Sequence, residues 1–281
     1  DITKIYNGNG IEYDLAQDFD KYCIRVMHWN VGGWAKGNST TSAVTAETYD
    51  ATKAAFVDVF KRYDAHVIGC CEHANIFYPD QSETASHAIF GDYQNHYVYS
   101  DSGYWGKGIH SHMPMTNVMQ SSVGSSIILE GHLSISGKDV VFCECHLPWS
   151  SASAHDMAMQ ALIARYADND CVILCGDFNF FSGNRSGDTP YPEQYKAFKD
   201  AGYDSANHAA LGDILTSYNN NVCTNYLDSV FVKGGKIVRA FVQQVTPEGK
   251  DPNAPQLADE SLWDAVNLSE HFPVVCDIKF D

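Results

Sequence analysis

The chain has 281 residues, with 35 Asp and Glu against 18 Lys and Arg and a formal net charge of −17 at pH 7. Hydrophobic residues make up 44% and aromatics 12%, enough to bury a large core and too much for a disordered chain. Uninterrupted apolar runs fall short of the ~18–20 residues of a membrane-crossing helix, and the acidity argues against attachment to nucleic acid or anionic lipid through a basic face, while leaving room for a phosphate-cleaving enzyme whose positive charge comes from a metal ion.

In chain order, apolar and β-branched runs at Cys23–Trp29, His66–Cys71, Ser126–Leu129, Val140–Cys145, Cys171–Cys175, Leu227–Val232 and Phe272–Ile278 predict strands. Each is near strand length and bounded by Gly, Pro, Asn or Asp. Helical spacing lies between them. Glu47–Tyr63 places Ala51, Ala54, Ala55, Val59 and Phe60 on one face and ends in Lys61-Arg62, where cations suit the helix dipole. Ser153–Ala167 repeats the pattern with Met157, Ala161, Leu162 and Ala164, and Ser153 fits as its N-cap. Pro192–Ala201 is shorter, with Pro in its first turn and Gly202 after its end. The stretches 32–46, 182–189 and 219–225 read as loops and 246–262 as a long irregular segment. Without repeats or linkers, interspersed strands and helices predict one α/β domain over residues 1–281, a two-sheet β-sandwich flanked by helices.

Nine cysteines cannot all pair within one chain. Eight of them (Cys23, Cys70, Cys71, Cys143, Cys145, Cys171, Cys175 and Cys276) lie in apolar, strand-like runs, where a free thiol behaves as a small hydrophobe. The odd count tilts toward a reducing compartment, and the compartment stays open between cytoplasmic and secreted. The sequence starts at Asp1 without a leader pattern, as expected after leader removal or trimming. Asn38, Asn184 and Asn267 match the glycosylation acceptor pattern, which arises often by chance. Residues 143–146 (Cys-Glu-Cys-His) resemble a zinc cluster but lack the second Cys pair of a structural site.

Polar residues at the ends of apolar strands are the chemically informative feature. Met27-His-Trp-Asn30 ends in Asn, Ile68-Gly-Cys-Cys-Glu72 in Glu, Val141-Phe-Cys-Glu-Cys-His146 in His, and Ile173-Leu-Cys-Gly-Asp177-Phe-Asn179 in Asp and Asn. Asp228 opens a strand, and Glu270-His271 precedes the last one. Singly, each has an ordinary structural role: Asp177 and Asn179 could cap a turn, His146 could be a satisfied core histidine, and Glu72 could be an edge charge. In a sandwich such ends converge on one rim, and an oxygen-rich set gathered there suits Mg²⁺ or Mn²⁺ and phosphate chemistry.

The combination and its order resemble the endonuclease/exonuclease/phosphatase superfamily. The matching elements are Trp29-Asn30, Glu72, Gly106-Lys-Gly-Ile-His-Ser-His-Met-Pro114, His146-Leu-Pro, Gly176-Asp-Phe-Asn179, Leu227-Asp228 and Ser269-Glu-His-Phe-Pro273, spread from residue 29 to 273. The resemblance implies the deoxyribonuclease I-like four-layer α/β sandwich. It implies Glu72 as principal metal ligand, with Asn30 and Glu270 as direct or water-mediated ligands of Mg²⁺ or Mn²⁺. Asp177 would orient or deprotonate the attacking water, and Asn179 would hold a phosphate oxygen or Asp177 itself. His271, oriented by Asp228, would contact the scissile phosphate; His146 would donate to a phosphate oxygen or protonate the leaving group. Two departures stand out: Glu270 replaces the family's usual Asp, and Cys71 its usual Gln.

The expected activity is divalent-metal-dependent phosphodiester hydrolysis, with a nuclease first and a phosphodiesterase or phosphatase on a small molecule or phospholipid as the alternative. The acidic chain keeps that alternative open by repelling long polyanions. Asp228-Ser229 stands where the deoxyribonuclease branch has Asp-Arg, removing a phosphate-contacting cation. A non-catalytic binding module is disfavoured because the metal Glu, the Gly-Asp-Phe-Asn element and the final His are all kept. Tyr93, His96, Tyr97, Tyr99, Tyr104, Trp105 and Trp149 read as core and loop aromatics, with base stacking as the other use. The expected partner is a nucleic acid or other phosphodiester substrate, and the expected state is a monomer.

Overall fold

Side chains alternate across a strand, so a strand buried on both faces must be apolar throughout, save where a polar group is given a partner. The computed structural model describes residues 23–34, 49–74, 83–99, 106–180, 191–206, 222–242 and 268–281, with short strands at 4–6, 12–14, 76–78 and 217–219. Strand β1 (Ile24–Asn30) is buried at every position. Then come β2 (Val67–Cys71), β3 (Asn95–Tyr99), β4 (Lys107–Ser111), β5 (Thr116–Val123) and β6 (Ser126–Ile135), followed by β7 (Lys138–His146), β8 (Val172–Phe180), β9 (Tyr203–Ser205), β10 (Val222–Lys233), β11 (Lys236–Val242) and β12 (Val274–Lys279).

Two sheets result. One runs β11-β12-β1-β2-β4-β3; the other runs β9-β10-β8-β7-β6-β5, with the strand at 217–219 attached to β10. Each sheet holds one central parallel pair, β1 with β2 and β7 with β8, and is otherwise antiparallel. Ile24 and Val26 of β1 share an interior with Phe142 of β7, Ile173 and Cys175 of β8 and Val230 and Val232 of β10. Outside the first sheet, Trp29 packs 5.4 Å from both Phe56 and Phe60 of helix α1 (Tyr49–Tyr63), and Phe60 lies 4.6 Å from Phe90 of α2 (Ala85–Phe90). Outside the second, Phe178 and Phe231 join residues of α3 (Ala152–Arg165) and α4 (Tyr191–Asp200) in a separate core. Helix, sheet, sheet and helix make the four layers expected.

The helices differ from their expected faces. In α1 the buried stripe is Thr52, Phe56, Val59, Phe60 and Tyr63, while Ala51 and Ala54 are exposed, because the larger aromatic side chains claim the sheet. In α3 the buried set is His155, Ala158, Met159 and Leu162, and Met157 is 61% exposed. His155 takes an inward place because its Nε2 meets the Phe178 carbonyl at 2.7 Å. The N-cap is Ser151 rather than Ser153, its hydroxyl accepting the Ala154 N–H.

Strands β3, β4, β5, β9 and β11 and helix α2 were not among the expected elements, although β11 (Lys236–Val242) carries an apolar, β-branched run of the usual kind. The stretch 219–225, expected as a loop, enters β10, which pairs with the strand at 217–219. Residues 35–48, 181–190 and 243–267 lie outside the described residues, and with them Asn38, Asn184, Asn267 and the segment 246–262; so do Tyr104 and Trp105. The eight cysteines expected in strand runs are all buried. Among the described residues, no helix is long and apolar enough to cross a membrane.

Candidate active site

The two parallel pairs run in register, Asn30 opposite Cys71 and His146 opposite Asp177. Asn30 ends β1, Glu72 follows β2, His146 ends β7, and Asp177 and Asn179 lie at the end of β8. Four carboxyl-terminal strand ends, two from each sheet, thereby face one another across the sandwich. Antiparallel β10 brings in Asp228 opposite Asp177, and the turn before β12 brings in Glu270 and His271. Glycine is needed at Gly176, where a Cβ would meet Cys145 Sγ at 2.4 Å and its carbonyl oxygen at 2.5 Å. Glu72 and Asn179 have φ of 51° and 52°, a left-handed conformation that costs a side-chain-bearing residue roughly 1 kcal/mol or more and tends to be kept at functional sites.

Asn30 Nδ2 donates to Glu72 Oε1 and to Asp177 Oδ2, each at 3.1 Å, and lies 3.4 Å from His271 Nε2. Its Oδ1 accepts the Gly32 N–H at 3.0 Å. His271 Nδ1 meets Asp228 Oδ2 at 2.7 Å, and its Nε2 lies 3.8 Å from Asp177 Oδ2. His146 Nε2 is 3.6 Å from the same oxygen. Asp177 Oδ1 accepts the Asn179 backbone N–H at 2.9 Å, while the Asn179 side chain donates to the Leu147 carbonyl at 2.8 Å. Ser269 Oγ donates to the Asn30 carbonyl at 2.6 Å, and Trp29 Nε1 to the His271 carbonyl at 2.9 Å, fixing the last turn against β1. Glu270 is half-buried, within electrostatic reach of His271 and Glu72. The structure thus brings Asn30, Glu72, Asp177, Asp228, His146, Asn179, Glu270 and His271 to one rim.

Charge is unevenly shared there. Burial works against the His271 imidazolium, but Asp228, with Asp177 and Glu72, outweighs it and raises the group to about 10. Asp228 is held below the ordinary carboxylate range: burial opposes the charge, and His271 and His28 more than offset it. Asp177 moves up, through burial first and then repulsion by Asp228. Glu72 and Glu270 also move up, both chiefly through burial. His146 falls to about 3, through burial and then the positive charges of Lys107 and His271, and is neutral.

The donor set fits a divalent cation. Glu72, Asp177 and Glu270 are carboxylates whose acidity burial has weakened by more than the neighbouring His271 charge restores, and that remaining deficit is what a hard, oxygen-seeking dication removes. The Cys-Glu-Cys-His run does not fit zinc. Cys143 and Cys145 face the helix side of their sheet, while Glu144 meets His28 across the sandwich, so the four cannot share one ion.

His28 and Glu144 form a fully buried pair that carried no role in the sequence. His28 Nε2 lies 3.1 Å from Asp228 Oδ1 and Nδ1 3.1 Å from Glu144 Oε1. Burial disfavours its charge, yet Glu144 and Asp228 raise it to about 10. Gly69 makes space for this contact, since a Cβ there would lie 2.0 Å from Glu144 Oε2. The available signal was position: His28 and Glu144 precede Asn30 and His146 by two residues, hence on the same strand face. Cys71 lies beside the pair, but burial, then the neighbouring carboxylates, keep it a thiol.

The fold is a deoxyribonuclease I-like sandwich with a rim of carboxylates, amides and imidazoles. The sequence profile of the Endonuclease/Exonuclease/phosphatase family matches residues 27–271, and the chain belongs to that family, whose members are phosphoester hydrolases. No curated protein matches it by sequence. Among solved structures it is similar to an endonuclease/exonuclease/phosphatase from Bacteroides vulgatus (TM-score 0.67, 13% identity, 93% of this chain and 100% of that one). It is also similar to the human nocturnin catalytic domain with bound sulfate (0.62, 16%, 93% and 96%). A third is a mannosyl-6-phosphatase from Bacteroides thetaiotaomicron (0.62, 15%, 92% and 100%). At such identities the likeness is one of fold.

Proposed function

We propose that this chain is a phosphoester hydrolase dependent on Mg²⁺ or Mn²⁺, held by Glu72 with Asn30 and Glu270. The observation that carries the proposal is Asp177, whose Oδ2 lies between Asn30, His146 and His271. A bound dication would draw charge from the nonbridging oxygens of the phosphate and from the leaving oxygen. Asp177, a carboxylate shifted toward neutrality, orients the attacking water and takes its proton as the water oxygen bonds to phosphorus. The Asn179 backbone N–H fixes Asp177, so Asn179 serves that carboxylate rather than the phosphate. His271, kept cationic by Asp228, holds a nonbridging oxygen. Neutral His146 offers a ring N–H to an oxygen of the phosphate or leaving group; with its pKa near 3 it is no store of acid.

The substrate we favour is a small phosphoester. The net charge of −17 opposes a long polyanion, and the cleft beside His146 has a volume of about 290 Å³, close to the small end of ligand pockets, ~300–1,000 Å³. A nuclease is the second reading, supported by Trp149, which stands 59% exposed beside that cleft where a base could stack. A hydrolysis panel with Mg²⁺ and Mn²⁺ tests both, setting phosphomonoesters, phosphodiesters and a phospholipid against single-stranded RNA and supercoiled DNA. Turnover should vanish with EDTA and fall by ~10³ or more in His271→Ala, the scale seen when a charged catalytic group is removed. Turnover unchanged by EDTA would refute the metal, and near-normal turnover in His271→Ala would refute the site.

A further inference from the structure

The cleft beside His146 is lined by Tyr99, Lys107, Ser125, Ser126, Trp149 and His146 itself, among others. It lies where the first residue of β4 meets the β5–β6 turn and the chain leaving β7. Lys107 is 5% exposed, and it pairs across the ladder with Cys71, next to Glu72. Among the described residues no carboxylate reaches ion-pairing distance of its Nζ. An ammonium taken from water without a contact partner is costly, and among the described residues Glu72 and Glu144 act on Lys107 through space rather than by contact, so a bound anion would complete its pairing. Its field is felt along the cleft wall, where it helps keep His146 neutral and stabilises the charge of Glu72. Ser126 Oγ is held to the His146 carbonyl at 2.9 Å, which steadies that wall.

His146 belongs to both spaces: its Nε2 is 3.6 Å from Asp177, and the residue lines the cleft. A substrate with its scissile phosphate at Asp177 and His271 would therefore run its other portion past His146 toward Lys107.

We propose that the cleft is a second anion subsite, in which Lys107 binds a phosphate carried by the leaving-group portion of the substrate and Trp149 covers the flank of that portion. The substrate class is a small phosphoester bearing a second phosphate. This deepens the hydrolase reading and rests on it for the placement of the scissile group.

Two matched substrate pairs test it in Mg²⁺: a nucleoside 3′,5′-bisphosphate against the 5′-monophosphate, and a hexose 1,6-bisphosphate against the 6-phosphate, with a short oligonucleotide as a further arm. The wild-type chain should prefer the bisphosphate of at least one pair by tenfold or more in kcat/KM, and the pair that shows it names the carrier. Lys107→Met should erase most of that preference. Ser125→Asp should do the same with Lys107 retained, by placing a carboxylate at an exposed position of the cleft wall, which keeps the test open if Lys107→Met misfolds. Without metal, in EDTA, pyrophosphate should quench the fluorescence that Trp149→Phe removes, and should bind about tenfold more weakly to Lys107→Met. Equal losses on both members of a pair would mean that Lys107 serves the scissile phosphate, and would overturn the subsite. A preference for the oligonucleotide would overturn the small-substrate class. If no ester were cleaved while pyrophosphate still bound through Lys107, the hydrolase reading would fail and the subsite would stand.

Discussion

Behind His271 the polar groups continue inward as Asp228, His28 and Glu144, each contact at 2.7–3.1 Å. With both imidazoles protonated, two positive groups alternate with two negative ones, and the row is neutral where water is excluded. Removing one member of such a buried pair leaves a stranded charge and costs about 3–5 kcal/mol, whereas replacing both partners with well-packed uncharged groups of similar volume removes that stranded charge. His28→Gln is therefore expected to lose several kcal/mol in a chemical-denaturation series, and His28→Gln with Glu144→Gln to regain more than half of it. His28 touches no substrate, so its effect on turnover should fall on kcat through the placing of Asp228, with KM little changed. A double variant no more stable than His28→Gln would contradict the ion-pair account. The same row shows what the sequence concealed. Asn30, Glu72, His146, Asp177 and Asp228 end or open apolar runs, and that is visible without a structure. His28 and Glu144 sit inside such runs, and their meeting depends on how two sheets register across an interior, which no local pattern encodes.

At the level of elements, the strands that could be read were β1, β2, β6, β7, β8, β10 and β12, whose apolar, β-branched runs are largely buried and leave little else. β5 could not be, because it is an edge strand exposed along most of its length and needs no apolar pattern. β4 was hidden for the opposite reason: Lys107-Gly-Ile-His-Ser111 reads as a polar loop, yet every position is buried, with His110 stacked 3.6 Å from Phe90. The docking of α3 on β6 rests on a polar staple. Glu130 accepts from Arg165 Nε at 2.9 Å and from Ser121 Oγ at 2.9 Å, with a further contact to Tyr166. Burial would raise the Glu130 pKa, but the hydrogen bonds from Arg165, Tyr166 and Ser121 overcome it and lower it below the ordinary value of 4.5. A carboxyl more acidic in the folded chain stabilises the fold above its unfolded pKa and ceases to do so as pH falls through the folded one. Between pH 6 and pH 3 the urea midpoint of the wild-type chain should thus fall further than that of Glu130→Gln. Parallel curves would show that this staple contributes nothing to acid sensitivity.

For the whole molecule, the excess of acidic residues and the crowding of carboxylates at one rim pull in the same direction: the folded chain is short of positive charge where its two sheets meet, and unfolding relieves the shortage. Any ion that binds the folded rim and not the unfolded chain must therefore stabilise the fold, by about 2.7 kcal/mol when present at 100 times its dissociation constant. For a chain of this length that corresponds to a rise of roughly 5 °C or more in the thermal midpoint. We expect Mg²⁺ or Mn²⁺ to raise Tm by this order, EDTA to reverse the rise, and Glu72→Gln to abolish most of it, with Na⁺ at equal ionic strength unable to substitute. If Glu72→Gln kept the full rise, the ion would sit elsewhere, and the group of Asp177, Asp228 and His271, whose ligand atoms lie within 4.8 Å of one another, would be the place to look. A calorimetric scan decides between these without any knowledge of the substrate, because it reads the metal through the stability of the fold.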